Sequence, residues 1–198
     1  IYQIDGLFCE GIHAGLKPNG NNDLGFIYTK EACTVAAIFT ENRFQAAPLK
    51  HFLAYEEGFK TNFVLINSKN ANALTGRKGI EDINTLFSKL NFDLINPIMS
   101  STGVIGNRLP IEKLVTGALK FDLTAKSGEN LSRAIMTTDA YPKTCLYEVK
   151  LEDGSSFKIG AVAKGAGMIN PNLATMLCFI CTDADVPYKD IKEALNKN

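Results

Sequence analysis

Residues 144–163, TCLYEVKLEDGSSFKIGAVA, constrain the fold more than any other stretch. Cys145, Tyr147, Val149 and Leu151 alternate with polar residues, Asp153-Gly154 supplies a turn, and Phe157 and Ile159 resume the alternation. A period of two on both sides of an Asp-Gly pair predicts a β-hairpin. A chain with such a hairpin carries at least one antiparallel sheet.

The remaining signals alternate between strand and helix. CTVAAIFT (33–40) and FVLIN (63–67) are apolar and β-branched enough for buried strands. Residues 79–92 place Ile80, Ile83, Phe87 and Leu90 on one helical face. LINPIM (94–99) reads as a short buried extended stretch, because Pro97 is unsuited to a helix interior. Residues 109–119 put Pro110 at a helix start, with Ile111, Leu114, Val115 and Ala118 facing inward. A further strand is expected over roughly 175–181, and Pro187 opens a last amphipathic helix. The pattern is mixed α/β with partly antiparallel sheets.

Bulk properties remove several classes of function. With 198 residues, 45% of them hydrophobic, the chain can bury a real core as a single domain. Its 21 basic and 21 acidic residues cancel and form no basic stripe, which argues against nucleic acid as a partner. No apolar run reaches the roughly 20 residues of a bilayer span, and the first residues do not read as a signal peptide. Five cysteines, irregularly spaced, suggest reduced, buried thiols in the cytoplasm rather than a disulfide framework.

Several short motifs carry chemistry as well as plainer readings. Cys178-x-x-Cys181 has metal or redox spacing, but a strand would put the two on opposite faces, and no metal site is expected. Asp183 and Asp185 suit either a cation or the polar end of a strand. Lys164, in GAVAKGAGM, precedes its glycines and so does not make a P-loop; alone it reads as a solvated loop lysine. SSTGVIG (100–106) is a turn or an anion-binding nest of backbone amides. MTTDAYPK (136–143) closes a helical segment, and capping explains its hydroxyls and carboxylate.

Thr175, after the small Ala174, has two readings. It can open a buried strand. It can also become a nucleophile if the Ala174–Thr175 bond is cut. The freed α-amino group has an unperturbed pKa of roughly 7.7–8.0 and can act as base for the threonine's own hydroxyl.

Five blocks together resemble one family. They are DLGFIYTKEACTVAAIFTENRFQAAPLKH (23–51), INSKNANALTG (66–76), SSTGVIGNRLPIEKL (100–114), AIMTTDAYPK (134–143) and KGAGMINPNLATMLCFICTDA (164–184). In this order they resemble the glutamate N-acetyltransferase / ornithine acetyltransferase family of arginine biosynthesis. The resemblance implies a layered α/β sandwich, similar to N-terminal-nucleophile hydrolases but differently connected. It implies self-cleavage between Ala174 and Thr175, with residues 1–174 in an α chain and 175–198 opening a β chain. Thr175 would carry an acetyl group from N-acetylornithine to glutamate, with acetyl-CoA a possible second donor and no cofactor. Thr102 and Gly103 would form the oxyanion hole; Thr138, Lys164 and Thr175 would contact substrate. An α₂β₂ assembly is implied.

Asn70, Asn72, Asn170 and Asn172 lie in the resembling blocks without an implied catalytic role; the residues suggest that they fix the backbone around the cleavage turn. Leu173 stands where the family has Met, a swap of similar volume. Lys69 stands where it has Gly, which would strain Lys69 if the position needs a positive φ. Two other readings stay open: a threonine-nucleophile amidase or aminopeptidase, and a non-catalytic fragment or binding module.

Overall fold

The computed structural model describes residues 1–167 and 175–197. Its centre is a run of alternating apolar side chains on two neighbouring strands. β1 (Leu7–Ile12), β2 (Leu24–Thr34), β3 (Lys60–Asn67) and β4 (Ile98–Ser101) form one sheet in that order. β1–β2 and β2–β3 pair antiparallel; β3–β4 pair parallel. Because successive side chains point to opposite faces, Leu24 and Phe26 of β2 and Phe63 and Leu65 of β3 enter one core, while Ile27 and Ile66 enter another.

The first core is closed by helices. α2 (Gly76–Ser88) brings Ile83, Leu86 and Phe87, and α3 (Ile111–Ala118) brings Leu114, Val115 and Ala118. α3 lies within its predicted span, 109–119, while α2 begins at Gly76, three residues before the 79–92 predicted, and ends at Ser88. Phe121 packs edge-on against Phe26 with ring centroids 4.6 Å apart. The short α1 (Ala47–Phe52) starts with Pro48 in its first turn.

The second core lies under a second sheet. β5 (Lys143–Lys150), β6 (Ser156–Lys164) and β7 (Leu177–Thr182) pair antiparallel in that order. β5 and β6 are the hairpin predicted around Asp153-Gly154. Val162 of β6 meets Ile66, Leu131 and Ile135, and α4 (Gly128–Ala134) packs across β1 and β2. That crossing is close: a Cβ on Gly11 would lie 2.1 Å from the Asn130 carbonyl oxygen. α5 (Tyr188–Lys197) follows Pro187 as expected and ends the described chain. The layers are therefore helices, a mixed sheet, and a second antiparallel sheet, with α4 beside it: an α/β sandwich. Among the described residues no helix is long and apolar enough to cross a membrane.

Three expectations need correction. Residues 33–40 are not a buried strand: β2 ends at Thr34, and 35–40 have no regular structure. The apolar run there is half-buried: β2 pairs with β3 again at Cys33 and Thr34 after a shift of register, but β3 begins at Lys60, opposite Thr34, so residues 35–40 have no β3 partner. Of LINPIM, only Ile98 and Met99 are in a strand. The cysteines are free thiols as expected, but only Cys9 is buried; Cys33, Cys145 and Cys178 are exposed.

Candidate active site

β3 and β4 run parallel and end together at Asn67 and Ser101. The C-terminal edge of parallel strands is where ligand sites concentrate, because the loops there are free to diverge. Asn67, which is fully buried, organises this edge. Its carbonyl accepts the Thr102 N–H at 3.0 Å, its side-chain oxygen accepts Ser101 Oγ at 2.7 Å, and its Nδ2 donates to Asn70 O at 2.9 Å. Lys69 O accepts the Val104 N–H at 2.9 Å.

Between these ties Gly103 takes φ +135°, and a Cβ there would sit 2.2 Å from the Lys69 carbonyl carbon. Both the backbone angle and the space demand glycine. Thr102 is buried, and its amide is already bonded to Asn67, so the hydroxyl is what it can offer a ligand.

Lys164, the last residue of β6, is only 5% exposed. The reading of a solvated loop lysine is overturned: the strand carries it inward. Its Nζ donates to Thr102 Oγ1 at 3.1 Å and to the Thr175 carbonyl oxygen at 3.2 Å. Burial pushes this ammonium's pKa down, the Asp139 charge opposes that, and the Lys143 charge adds to it. Thr175 has φ +65°, an unusual conformation for a β-branched residue.

Thr138 reaches the same place from the loop after α4: its Oγ1 is 3.2 Å from where a Cβ of Gly167 would lie. Thr102, Gly103, Thr138, Lys164 and Thr175 all line one open groove. Ala174, Leu173, Asn170 and Asn172 lie outside the described residues.

Asp139 is not the helix cap that its sequence context suggests, because α4 ends at Ala134. Its side chain is fully buried. It accepts the Gly165 N–H at 2.8 Å, the Thr137 N–H at 3.1 Å and Lys143 Nζ at 2.8 Å. Burial acts to raise its carboxyl, yet the Lys143 ammonium and the two amides hold it down at about 2. A Thr-Thr-Asp run shows no pattern that separates this role from capping.

The cleavage turn that Asn70 and Asn72 are expected to fix lies largely outside the described residues. Asn70 Nδ2 donates to Asn107 O at 3.2 Å and Arg108 O at 3.0 Å, and Asn72 Nδ2 donates to Gly79 O at 3.0 Å. They fix the loop beside Thr102 and the start of α2. Cys178 and Cys181 fall on opposite faces of β7, and Asp183 accepts the Lys158 N–H at 2.7 Å. Among the described residues no group of three or more His, Cys, Asp or Glu is placed to hold a metal ion.

The class is thus an α/β protein whose polar, chemistry-bearing side chains gather at one edge of a mixed sheet. Within that class the chain belongs to the ArgJ family, whose model matches residues 8–198. It is 53% identical over 196 residues to the arginine biosynthesis bifunctional protein ArgJ of Wolinella succinogenes, covering 98% of this chain and 50% of that protein. It is 38% identical over 203 residues to the glutamate N-acetyltransferase of Methanothermobacter thermautotrophicus, covering 98% and 49%.

Among solved structures, the arginine biosynthesis bifunctional protein argJ of Bacillus halodurans matches at TM-score 0.80 and 34% identity, over 89% of this chain and 94% of that one. Ornithine acetyltransferase of Mycobacterium tuberculosis, complexed with ornithine, matches at TM-score 0.72 and 30% identity, over 88% and 95%. The chain spans about half the length of the curated relatives it matches.

Proposed function

We propose that the full-length protein is an acetyltransferase of arginine biosynthesis that moves an acetyl group from N-acetylornithine to glutamate through an ester on Thr175. The observation that carries this reading is the Lys164 ammonium, which donates to both Thr102 Oγ1 and the Thr175 carbonyl. One buried cation thereby joins the expected oxyanion donor to the expected nucleophile residue.

The steps follow ordinary acyl-transfer chemistry. The Thr175 hydroxyl attacks the Ala174 carbonyl, the peptide C–N bond breaks, and water hydrolyses the resulting ester, leaving a free amine on Thr175. That amine then accepts the hydroxyl proton as Thr175 attacks the acetyl carbonyl of N-acetylornithine. Ornithine leaves, and the amine of glutamate takes the acetyl group from the ester. Each tetrahedral intermediate places negative charge where the Thr102 hydroxyl and Gly103 N–H would donate. The Thr102 hydroxyl is suited to this: it accepts from Lys164, so its own proton is directed elsewhere. Thr138 and Lys164 would hold the substrate, the ammonium meeting a carboxylate in a charge-assisted hydrogen bond.

A second chain beginning at Thr175 completes the site in this reading. The strand register puts Tyr147, Ile159 and Ile180 on the outer face of the second sheet, where Tyr147 is 66% and Ile180 57% exposed. An apolar sheet face of this kind wants a cover. The coverage figures support two chains: this segment spans half of the curated relatives, yet nearly the whole of the solved chains. The proposed assembly is α₂β₂, in the cytoplasm, without a cofactor; acetyl-CoA as an alternative donor belongs to the same chemistry.

The test is the intact mass and N-terminal sequence of the full-length protein beside its Thr175→Ala variant. The reading expects a new chain beginning Thr-Met-Leu-Cys in the wild type, an uncut variant, and acetyl transfer from N-acetylornithine only in the former. Two whole chains and no transfer would leave Thr175 as the start of a strand. Activity on peptides instead would favour a threonine amidase.

A further inference from the structure

Asp139 has no part in the acetyl-transfer steps above, yet it is a buried carboxylate at their edge. Its bonds join two segments that converge on the groove. One is the loop carrying Thr138, held through the Thr137 N–H at 3.1 Å. The other is the end of β6 carrying Lys164, held through the Gly165 N–H at 2.8 Å. A carboxylate accepts both amides and still has capacity for Lys143 Nζ at 2.8 Å.

We propose that Asp139 is a positioning residue of this site: it clamps the Lys164–Gly165 end of β6 to the Thr137–Thr138 loop and balances the ammonium that Lys164 presents to Thr102.

Two independent features support it. The first is geometric. Lys164 Nζ meets Thr102 Oγ1 only if β6 delivers it at the right height, and the Asp139–Gly165 bond sits one residue past Lys164. A hydrogen bond to a charged acceptor is stronger than a neutral one, so this clamp weakens when the charge goes, even if the shape stays.

The second is electrostatic. Lys164 is buried, which disfavours its charged form. Among the described residues, the ionised groups that act on it are Asp139, which favours the charge, and Lys143, which opposes it. Asp139 in turn faces Lys143 and also acts on Lys17, whose ammonium burial pushes down. Asp139 and Lys143 therefore pull Lys164 in opposite directions although they are bonded to each other. A purely structural salt bridge would not behave so: breaking it from either side would have the same consequence.

The inference rests on the acetyl-transfer reading only for its kinetic consequence, so its test reads Lys164 directly. Full-length protein labelled with ¹³C-lysine is titrated by NMR, and the Lys164 Cε resonance is assigned by its loss in Lys164→Met. Asp139→Asn, which keeps the shape, is expected to lower the Lys164 midpoint, because it removes the charge that favours the ammonium. Lys143→Met, which removes the opposing charge and leaves Asp139 in place, is expected to raise it. If Asp139→Asn does not fold, Asp139→Ser is read in its place, and an unmoved Lys164 midpoint there overturns the proposal. A midpoint unmoved in Asp139→Asn, or unmoved or lowered in Lys143→Met, overturns the proposal. Opposite shifts in a protein whose wild type transfers no acetyl group would uphold the clamp and overturn the acetyl-transfer reading instead.

Discussion

Lys164 Nζ lies 3.1 Å from Thr102 Oγ1, and the donor comes from the end of β6 while the acceptor follows β4. The two sheets of the sandwich meet at this hydrogen bond. It orients the threonine hydroxyl, because an oxygen that accepts from an ammonium directs its own proton away. On the proposed acetyl-transfer reading, Thr102→Val is expected to lower kcat of the full-length protein by about 100- to 1000-fold, the usual loss of an oxyanion donor, with little change in KM. Thr102→Ser should recover most of it. On the same reading Lys164→Met should raise KM for carboxylate-bearing substrates and lower kcat as well, since it would remove both the proposed carboxylate partner and the donor that orients Thr102. Steady-state kinetics on N-acetylornithine and glutamate separate these patterns; Thr102→Val raising KM alone would contradict the role given to the hydroxyl.

Gly103 is the least replaceable residue of the site. Its φ of +135° is closed to side chains, and the Lys69 carbonyl carbon occupies the space a Cβ would need. Gly103→Ala cannot be absorbed by a side-chain rotation, because the obstacle is backbone. It is expected to cost at least about 2 kcal/mol of stability and, on the acetyl-transfer reading, to remove that activity. Urea unfolding and activity assays check both; a variant as stable and active as the parent would show that the loop from Lys69 to Val104 can shift.

Much of this architecture is legible in the residues, and the exceptions have physical causes. Local pattern finds elements that depend on local pattern: the hairpin on either side of Asp153-Gly154, and α2 and α3, whose apolar spacing alone names the buried face. It mistakes 33–40 for a strand because apolar, β-branched composition reports burial rather than pairing, and β3 begins opposite Thr34, so it offers residues 35–40 no partner. It misplaces Lys164, since a lysine among glycines gives no sign that a strand will carry it inward. It misses Asp139 for a related reason. The partner Gly165 is distant in sequence, and a carboxylate that bonds distant amides looks the same as one that caps a helix. The family resemblance marks Thr102, Gly103, Thr138 and Lys164 as a set; residue spacing alone would not have put them in one groove.

Lys69 holds φ +77°, a conformation that costs an ordinary residue about 1–2 kcal/mol. Its side chain is exposed, so glycine would lose no buried contact there. Glycine gains most of the strain back but gives up part of it through the greater freedom of the unfolded chain, about 0.5–1 kcal/mol. Lys69→Gly is thus expected to stabilise the full-length protein by about 0.5–1 kcal/mol, read as a higher urea midpoint. A destabilised variant would mean that the lysine makes compensating interactions in the complete protein.

His51 gives the fold a pH dependence near neutrality. Its ring sits in the first core between Tyr55 and Phe87, with centroids 5.4 and 6.0 Å away, and its Nδ1 is buried without a hydrogen-bond partner among the described residues. Burial pushes its pKa below the usual 6.5, with the Asn84 side chain opposing. The sign follows from proton linkage. Above about pH 6.5 both the folded and unfolded chains hold His51 neutral, and there is no penalty. As pH falls below that value, the unfolded chain binds a proton that the folded chain refuses, so stability drops by up to about 1.4 kcal/mol per pH unit until the folded pKa is reached. Urea midpoints of the full-length protein should therefore fall between pH 7.5 and pH 5.5, and the slope should flatten in His51→Leu. An equal slope in the two proteins would assign the dependence to other groups.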